Sequence, residues 1–142
     1  MLMSYSTDIQ GAKAYAHELN ISRRHAVEIC SAIRGMSLEK AKTFLENVIQ
    51  KKQFVEFKRH KKQIPHRKGG KPGRYSVKAA KAILKLLENA ENNAEELGMD
   101  DNLVVKHIAA HKGRTYKRIA PKGRWRPSNM ETTNIEVILT ER

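Results

Sequence analysis

All 15 acidic residues of this chain lie outside two windows that hold most of its positive charge. From Phe57 to Leu87 there is no Asp or Glu, while Lys58, Arg59, Lys61, Lys62, Arg67, Lys68, Lys71, Arg74, Lys78, Lys81 and Lys85 carry +11. From Asn102 to Met130 acids are absent again, and Lys106, Lys112, Arg114, Lys117, Arg118, Lys122, Arg124 and Arg126 carry +8. The remaining residues balance at −6, with six of their acids between Glu88 and Asp101. A one-signed segment with few apolar residues cannot collapse on itself, because burial returns too little to offset ordering and self-repulsion. Cationic stretches of this kind are directed at a polyanion such as nucleic acid.

With 142 residues, 39% of them hydrophobic, the chain suits one domain over 1–142 that includes a basic excursion at 57–75 and an extended hairpin at 112–131. No run approaches 18 apolar residues, and Met1 to Gln10 lacks the basic and apolar regions of a secretion signal, so no membrane is expected as a partner. A single cysteine, Cys30, fits a reducing compartment, and the expected location is cytoplasmic.

Ser22 precedes Ala26, Ile29, Cys30 and Ile33 at helical spacing, and Gly35 follows where a left-handed residue closes a helix. Ser37 begins a second helix with Leu38, Ala41, Leu45, Val48 and Ile49 on one face. Ser76 opens a longer third helix whose expected apolar stripe is Ala80, Ile83, Leu84, Leu87, Ala94 and Leu97, with Gly98 as its stop. That helix carries Lys78, Lys81 and Lys85 first and Glu88, Glu91, Glu95 and Glu96 last, an order opposed to the helix dipole. An outside partner is expected to fix where its positive end points.

The excursion holds Pro65, Gly69, Gly70, Pro72 and Gly73 among its cations and offers little to bury. After Gly98 the pattern turns β-prone. Leu103 to Ala110 reads as one strand; Ile135, Val137 and Leu139, alternating with Asn134, Glu136 and Thr140, as another; Ala12 to Leu19 as a third. The 20 residues from Lys112 to Glu131 are too many for an unsupported loop, so the strands should continue past the core as a hairpin with Pro121, Lys122 and Gly123 near its tip. The expected fold is α+β, with three helices packed on a small three-stranded antiparallel sheet and a long protruding β-hairpin.

Catalytic and metal chemistry find little support. His107 and His111 share a strand face, but no thiolate or acid near them in sequence completes a metal site. Cys30 sits on an apolar helix face as a small core residue. The Gly69 to Gly73 run lacks the spacing of a phosphate loop, and no convergent acid and base or cofactor motif is present. No enzyme activity, cofactor, metal or small-molecule substrate is expected. Nucleic-acid contacts are expected from Lys58, Arg59, Lys61, Lys62, Arg67, Lys68, Lys71 and Arg74 in the excursion, and from Lys112, Arg114, Lys117, Arg118, Lys122, Arg124, Trp125 and Arg126 in the hairpin. The two short helices around Gly35 leave a helix-turn-helix DNA-binding or architectural protein as the alternative, although Glu39, Lys40, Lys42, Glu46 and Asn47 make a mixed-sign face ill suited to a groove.

Several runs carry a resemblance: Ser22-Arg23-Arg24-His25-Ala26, Ile33-Arg34-Gly35, Leu86 to Ala94, Lys106-His107-Ile108-Ala109-Ala110-His111, Lys117 to Pro121, and Lys122-Gly123-Arg124. In this order, from about Ala12 to Glu141, they resemble the universal large-ribosomal-subunit protein twenty-two family. The excursion from Phe57 to Arg74 is similar to archaeal and eukaryotic members rather than to the shorter bacterial pattern. The resemblance implies one ribosomal protein domain on the outside of the large subunit, with its hairpin threaded inward through ribosomal RNA to line the polypeptide exit tunnel. It adds Arg23 and Arg24 to the RNA contacts and places Arg118, Ala120, Pro121, Lys122, Gly123 and Arg124 at the tunnel tip. The implied partners are large-subunit ribosomal RNA, neighbouring ribosomal proteins and the nascent polypeptide.

Overall fold

The last strand of the chain is the one with which the other long strands pair. The computed structural model describes residues 5–100, 102–123 and 125–141. Its elements are β1 (Ala12–Leu19), α1 (Arg23–Ile33), α2 (Leu38–Ile49), β2 (Val55–Glu56), β3 (Gly73–Arg74), α3 (Val77–Glu96), β4 (Leu103–Tyr116) and β5 (Met130–Glu141). The main sheet has the order β1-β5-β4, with both pairings antiparallel. This is the expected α+β architecture, and β1 spans the residues that alternation assigned to it.

Ala12, Ala14, Val105, Ile108, Ile135, Val137 and Leu139 face the helices. Against them lie Ala26, Ile29, Cys30 and Ile33 of α1, Leu45 and Val48 of α2, and Ile83 and Leu87 of α3, all buried. Burial pushes the Cys30 thiol up to about 12, consistent with a small core residue rather than a nucleophile.

Ser22, Ser37 and Ser76 do precede the three helices, yet none caps with its side chain, and the Ser76 hydroxyl is buried without a partner. The α1–α2 turn is instead held by the sheet. Gly35, at φ +81°, donates its N–H to the Val105 carbonyl at 2.8 Å, and Val105 N–H donates to the Met36 carbonyl at 2.9 Å.

Three expectations need correction. First, α3 buries Ala79, Leu86 and Ala90 as well as the expected Ala80, Ile83, Leu87 and Ala94, while Leu84 is half-buried and Leu97 is 64% exposed. The helix ends in a Schellman turn: Met99 N–H reaches the Ala94 carbonyl at 3.0 Å, Gly98 N–H the Glu95 carbonyl at 3.0 Å, and Gly98 takes φ +69°. The reversal brings Met99, not Leu97, against the core. Second, β5 is covered on both faces, with Glu136 1% exposed and Ile138 fully buried. Strand alternation placed Glu136 on the outer face correctly, but residues 5–11 fold over that face. Third, Phe57 is not part of a core-poor excursion. Val55 and Phe57 are buried, β2 pairs with β3, and Phe57 N–H donates to the Pro72 carbonyl at 2.9 Å.

Candidate nucleic-acid interface

Two cationic arms leave this core, each with a distinct anchor. At the root of the first, Glu28 stands on the buried side of α1 and accepts the backbone N–H groups of Lys58, Arg59 and His60 at 2.9, 3.0 and 2.8 Å. A buried carboxylate with three amide donors is satisfied without a cation, leaving the neighbouring lysine and arginine side chains free to face outward. The sequence gives one clue to this role, an acid between the apolar residues Val27 and Ile29. His25 meets Phe57 edge-on at 5.3 Å, and burial, reinforced by the charge of Arg74, lowers its pKa.

Beyond this root the arm doubles back through a tight turn in which Arg67 N–H donates to the Lys71 carbonyl at 2.8 Å. Lys58, Arg59, Lys61, Lys62, Lys68, Lys71 and Arg74 are exposed, as the charge pattern requires. Arg67 is half-buried: its Nε donates to the Gly73 carbonyl at 3.0 Å and its guanidinium lies 5.0 Å from the centre of the Tyr75 ring. Its first task is to hold the arm together. Lys71 shares its charge with Glu56 at 3.5 Å, and Arg74 reaches the Gln63 carbonyl at 3.4 Å.

The second arm is the hairpin. Its buried residues end at Ile108 on β4 and begin at Thr132 on β5, apart from Ala120, but pairing continues outward through Lys112↔Thr133, Thr115↔Glu131 and Tyr116↔Met130. Past the named strands, Ser128 N–H donates to the Arg118 carbonyl at 2.8 Å and Ala120 N–H to the Arg126 carbonyl at 3.0 Å. The chain reverses at Lys122 (φ +72°) and Gly123 (φ +67°), where the tip was expected. At roughly 3.3 Å per residue, the arm extends about 30 Å beyond Lys112. A bulge between Lys112 and Thr115 bends it, and only glycine fits there, since a Cβ on Gly113 would lie 2.4 Å from the Thr132 hydroxyl.

Lys112, Arg114, Lys117, Arg118, Lys122 and Arg126 are exposed along this arm, with Lys112 also 3.2 Å from Glu131. Trp125 is 88% exposed, and Pro121 and Gly123 are open at the turn. Ala120, also among the residues expected at the tip, is 8% exposed. Arg124 lies outside the described residues. On the body, Arg23 and Arg24 are exposed in the first turn of α1, as are Lys78, Lys81 and Lys85 on α3.

A different polar cluster sits on the outer face of the sheet. His107 Nε2 and His111 Nε2 lie 2.9 and 3.1 Å from the same oxygen of Glu136, Ser6 Oγ also bonds that oxygen, and Ser6 N–H donates to the other at 3.1 Å. The acid that linear sequence did not place beside the two histidines therefore exists, supplied across the sheet by β5. Burial would push the Glu136 carboxyl up, but the hydrogen bonds from Ser6, His107 and His111 outweigh it and hold the group down at about 2. The cluster fastens residues 5–11 to the sheet. Among the described residues, no set of three His, Cys, Asp or Glu side chains is arranged to hold a metal ion, and no helix is long and apolar enough to cross a membrane.

Known proteins resemble this chain along nearly its whole length. The family model described as Ribosomal protein L22p/L17e matches residues 14–140. Among archaeal relatives, the large ribosomal subunit protein uL22 of Methanopyrus kandleri is 54% identical over 142 residues, covering 95% of this chain and 89% of its own. That of Methanosphaera stadtmanae is 53% identical over 136 residues, covering 92% and 88%. The protein of the same name from Thermoplasma acidophilum is 46% identical over 146 residues, covering 99% and 97%.

Proposed function

Because the chain belongs to the ribosomal protein L22p/L17e family, a non-enzymatic constituent of the large ribosomal subunit, we propose that it binds and organises ribosomal RNA there and lines the polypeptide exit tunnel with its hairpin. The observation that carries this reading is an arm that extends about 30 Å beyond Lys112 with its backbone paired out to Ala120, while its side chains find almost nothing of their own chain to bury against. Dense RNA supplies what such an arm lacks, since closely packed phosphates need fixed cations between them. Residues 1–142 act as one domain: the body docks through Arg23, Arg24 and the first arm, and neighbouring ribosomal proteins meet the remaining surface. Arg118, Pro121, Lys122, Gly123 and Arg124 lie nearest the nascent polypeptide, with Ala120 supporting the turn from within.

The test is to delete residues 120–125, close the strands with a two-residue turn, and image large subunits purified from cells carrying the variant. The shortened protein should still incorporate, because the deletion leaves the sheet and helices intact, and the tunnel should be wider where the tip was lost. Incorporation with an unchanged tunnel wall would refute the tunnel assignment.

The DNA-binding alternative loses its structural basis. The turn at Gly35 is bonded to β4 on one side, and α2 packs against α3, so the helix pair is part of the body and not a freestanding reading head.

A further inference from the structure

Near the end of the hairpin, Ile119 is 67% exposed and Trp125 88% exposed. Together with Pro127 they form the apolar wall of a surface cavity of about 390 Å³. Lys117, Arg118 and Arg126 also line it, and the rim contains no acid. The backbone around it is fixed: Ile119 bridges to Pro127, Ala120 N–H donates to the Arg126 carbonyl at 3.0 Å, and Ser128 N–H donates to the Arg118 carbonyl at 2.8 Å. Large apolar side chains are thus presented to solvent on a braced frame, within a segment that has no acid from Asn102 to Met130.

We propose that this cavity receives one unpaired RNA base turned out of its stack, the base lying against the Trp125 indole and walled by Ile119 and Pro127. Lys117, Arg118 and Arg126 hold the phosphates on either side of the extruded nucleotide. The proposal rests on the RNA-binding reading above and specifies what this part of the hairpin recognises. A regular duplex offers phosphates but no free base face, and would leave Trp125 and Ile119 in water. A peptide offers apolar side chains, but no regular anion for three adjacent cations. A bulged nucleotide supplies a flat aromatic face flanked by two phosphates, matching both the wall and the rim.

Trp125 is the only tryptophan, so its fluorescence reports directly on this cavity. The full chain is titrated with an RNA hairpin pool carrying one randomised single-nucleotide bulge, with the same hairpin fully paired, and with an acidic, aromatic-rich peptide. The bulged RNA should quench the indole and bind roughly 5- to 100-fold more tightly than the paired one, the range expected of one base stacked on an aromatic ring. Trp125→Ala should bind both RNAs alike with an unchanged dependence on salt, whereas Trp125→Phe should keep the preference. Because the side chain is exposed, neither variant should disturb folding, which circular dichroism checks. Equal, salt-sensitive binding of both RNAs without quenching would overturn the base pocket and leave the RNA-binding reading standing. Failure of either RNA to bind would overturn both, and quenching by the peptide alone would assign the cavity to a polypeptide.

Discussion

Glu136 shows how one buried charge can fasten a chain segment. Its carboxylate is 1% exposed, yet it stays ionised because Ser6, His107 and His111 all direct polar atoms at it. A carboxyl held at about 2 against an ordinary value of 4.5 stabilises the folded state by about 3 kcal/mol at neutral pH. The sign follows from the depressed value: this contribution is complete above about pH 4.5 and is lost as pH falls through about 2. Glu136→Gln should therefore be less stable than the native protein by an amount that is largest at pH 7 and shrinks toward zero near pH 2. Urea denaturation of both proteins across that range measures the difference, and a constant gap would refute the mechanism. Alternation correctly put Glu136 on the face opposite Val137. Its burial was not legible, because that depends on residues 5–11, a polar segment without periodicity, crossing more than a hundred positions of sequence to reach it.

The termination of α3 separates what helical spacing can and cannot tell. Periodicity extended the apolar stripe to Leu97, but the Schellman turn at Gly98 exposes that side chain and brings Met99 inward. Leu97→Ala should change stability by less than about 0.5 kcal/mol, while Met99→Ala, which removes a half-buried side chain, should cost about 1 kcal/mol. Thermal unfolding of the two variants distinguishes them, and equal losses would show that the stripe does run through Leu97. The glycine marked the end of the helix; only the geometry of the turn identified the residue that seals it. The same holds for the first arm. Its Pro, Gly and lysine content correctly indicated a projection, while its anchor at Glu28 depends on three backbone amides, which have no signature in a sequence.

Across the whole molecule, charge partition was the most legible property, because segments that cannot fund a core must leave it. Many exposed lysines and arginines lie on the two arms, with Arg23 and Arg24 at the start of α1 and Lys78, Lys81 and Lys85 on the first half of α3, so RNA should be gripped at many phosphates at once. Affinity for ribosomal RNA should then fall with salt on a log–log slope of magnitude at least roughly 5, given about 0.7–0.9 per neutralised phosphate. Titration at several salt concentrations checks it, and a slope near zero would exclude the polyphosphate grip. The hairpin also has a mechanical character set by its root. β5 runs from Met130, on the projecting part of the hairpin, into the centre of the sheet, where β1 holds it through the pairings from Ala12↔Leu139 to Leu19↔Thr133, while β4 is bonded on its outer side to the α1–α2 turn. A pull along the arm loads these lateral bonds together, in shear, and cannot unzip them one at a time. The slender projection is thus seated like a tang in a handle, able to transmit tension into the body without coming loose from it.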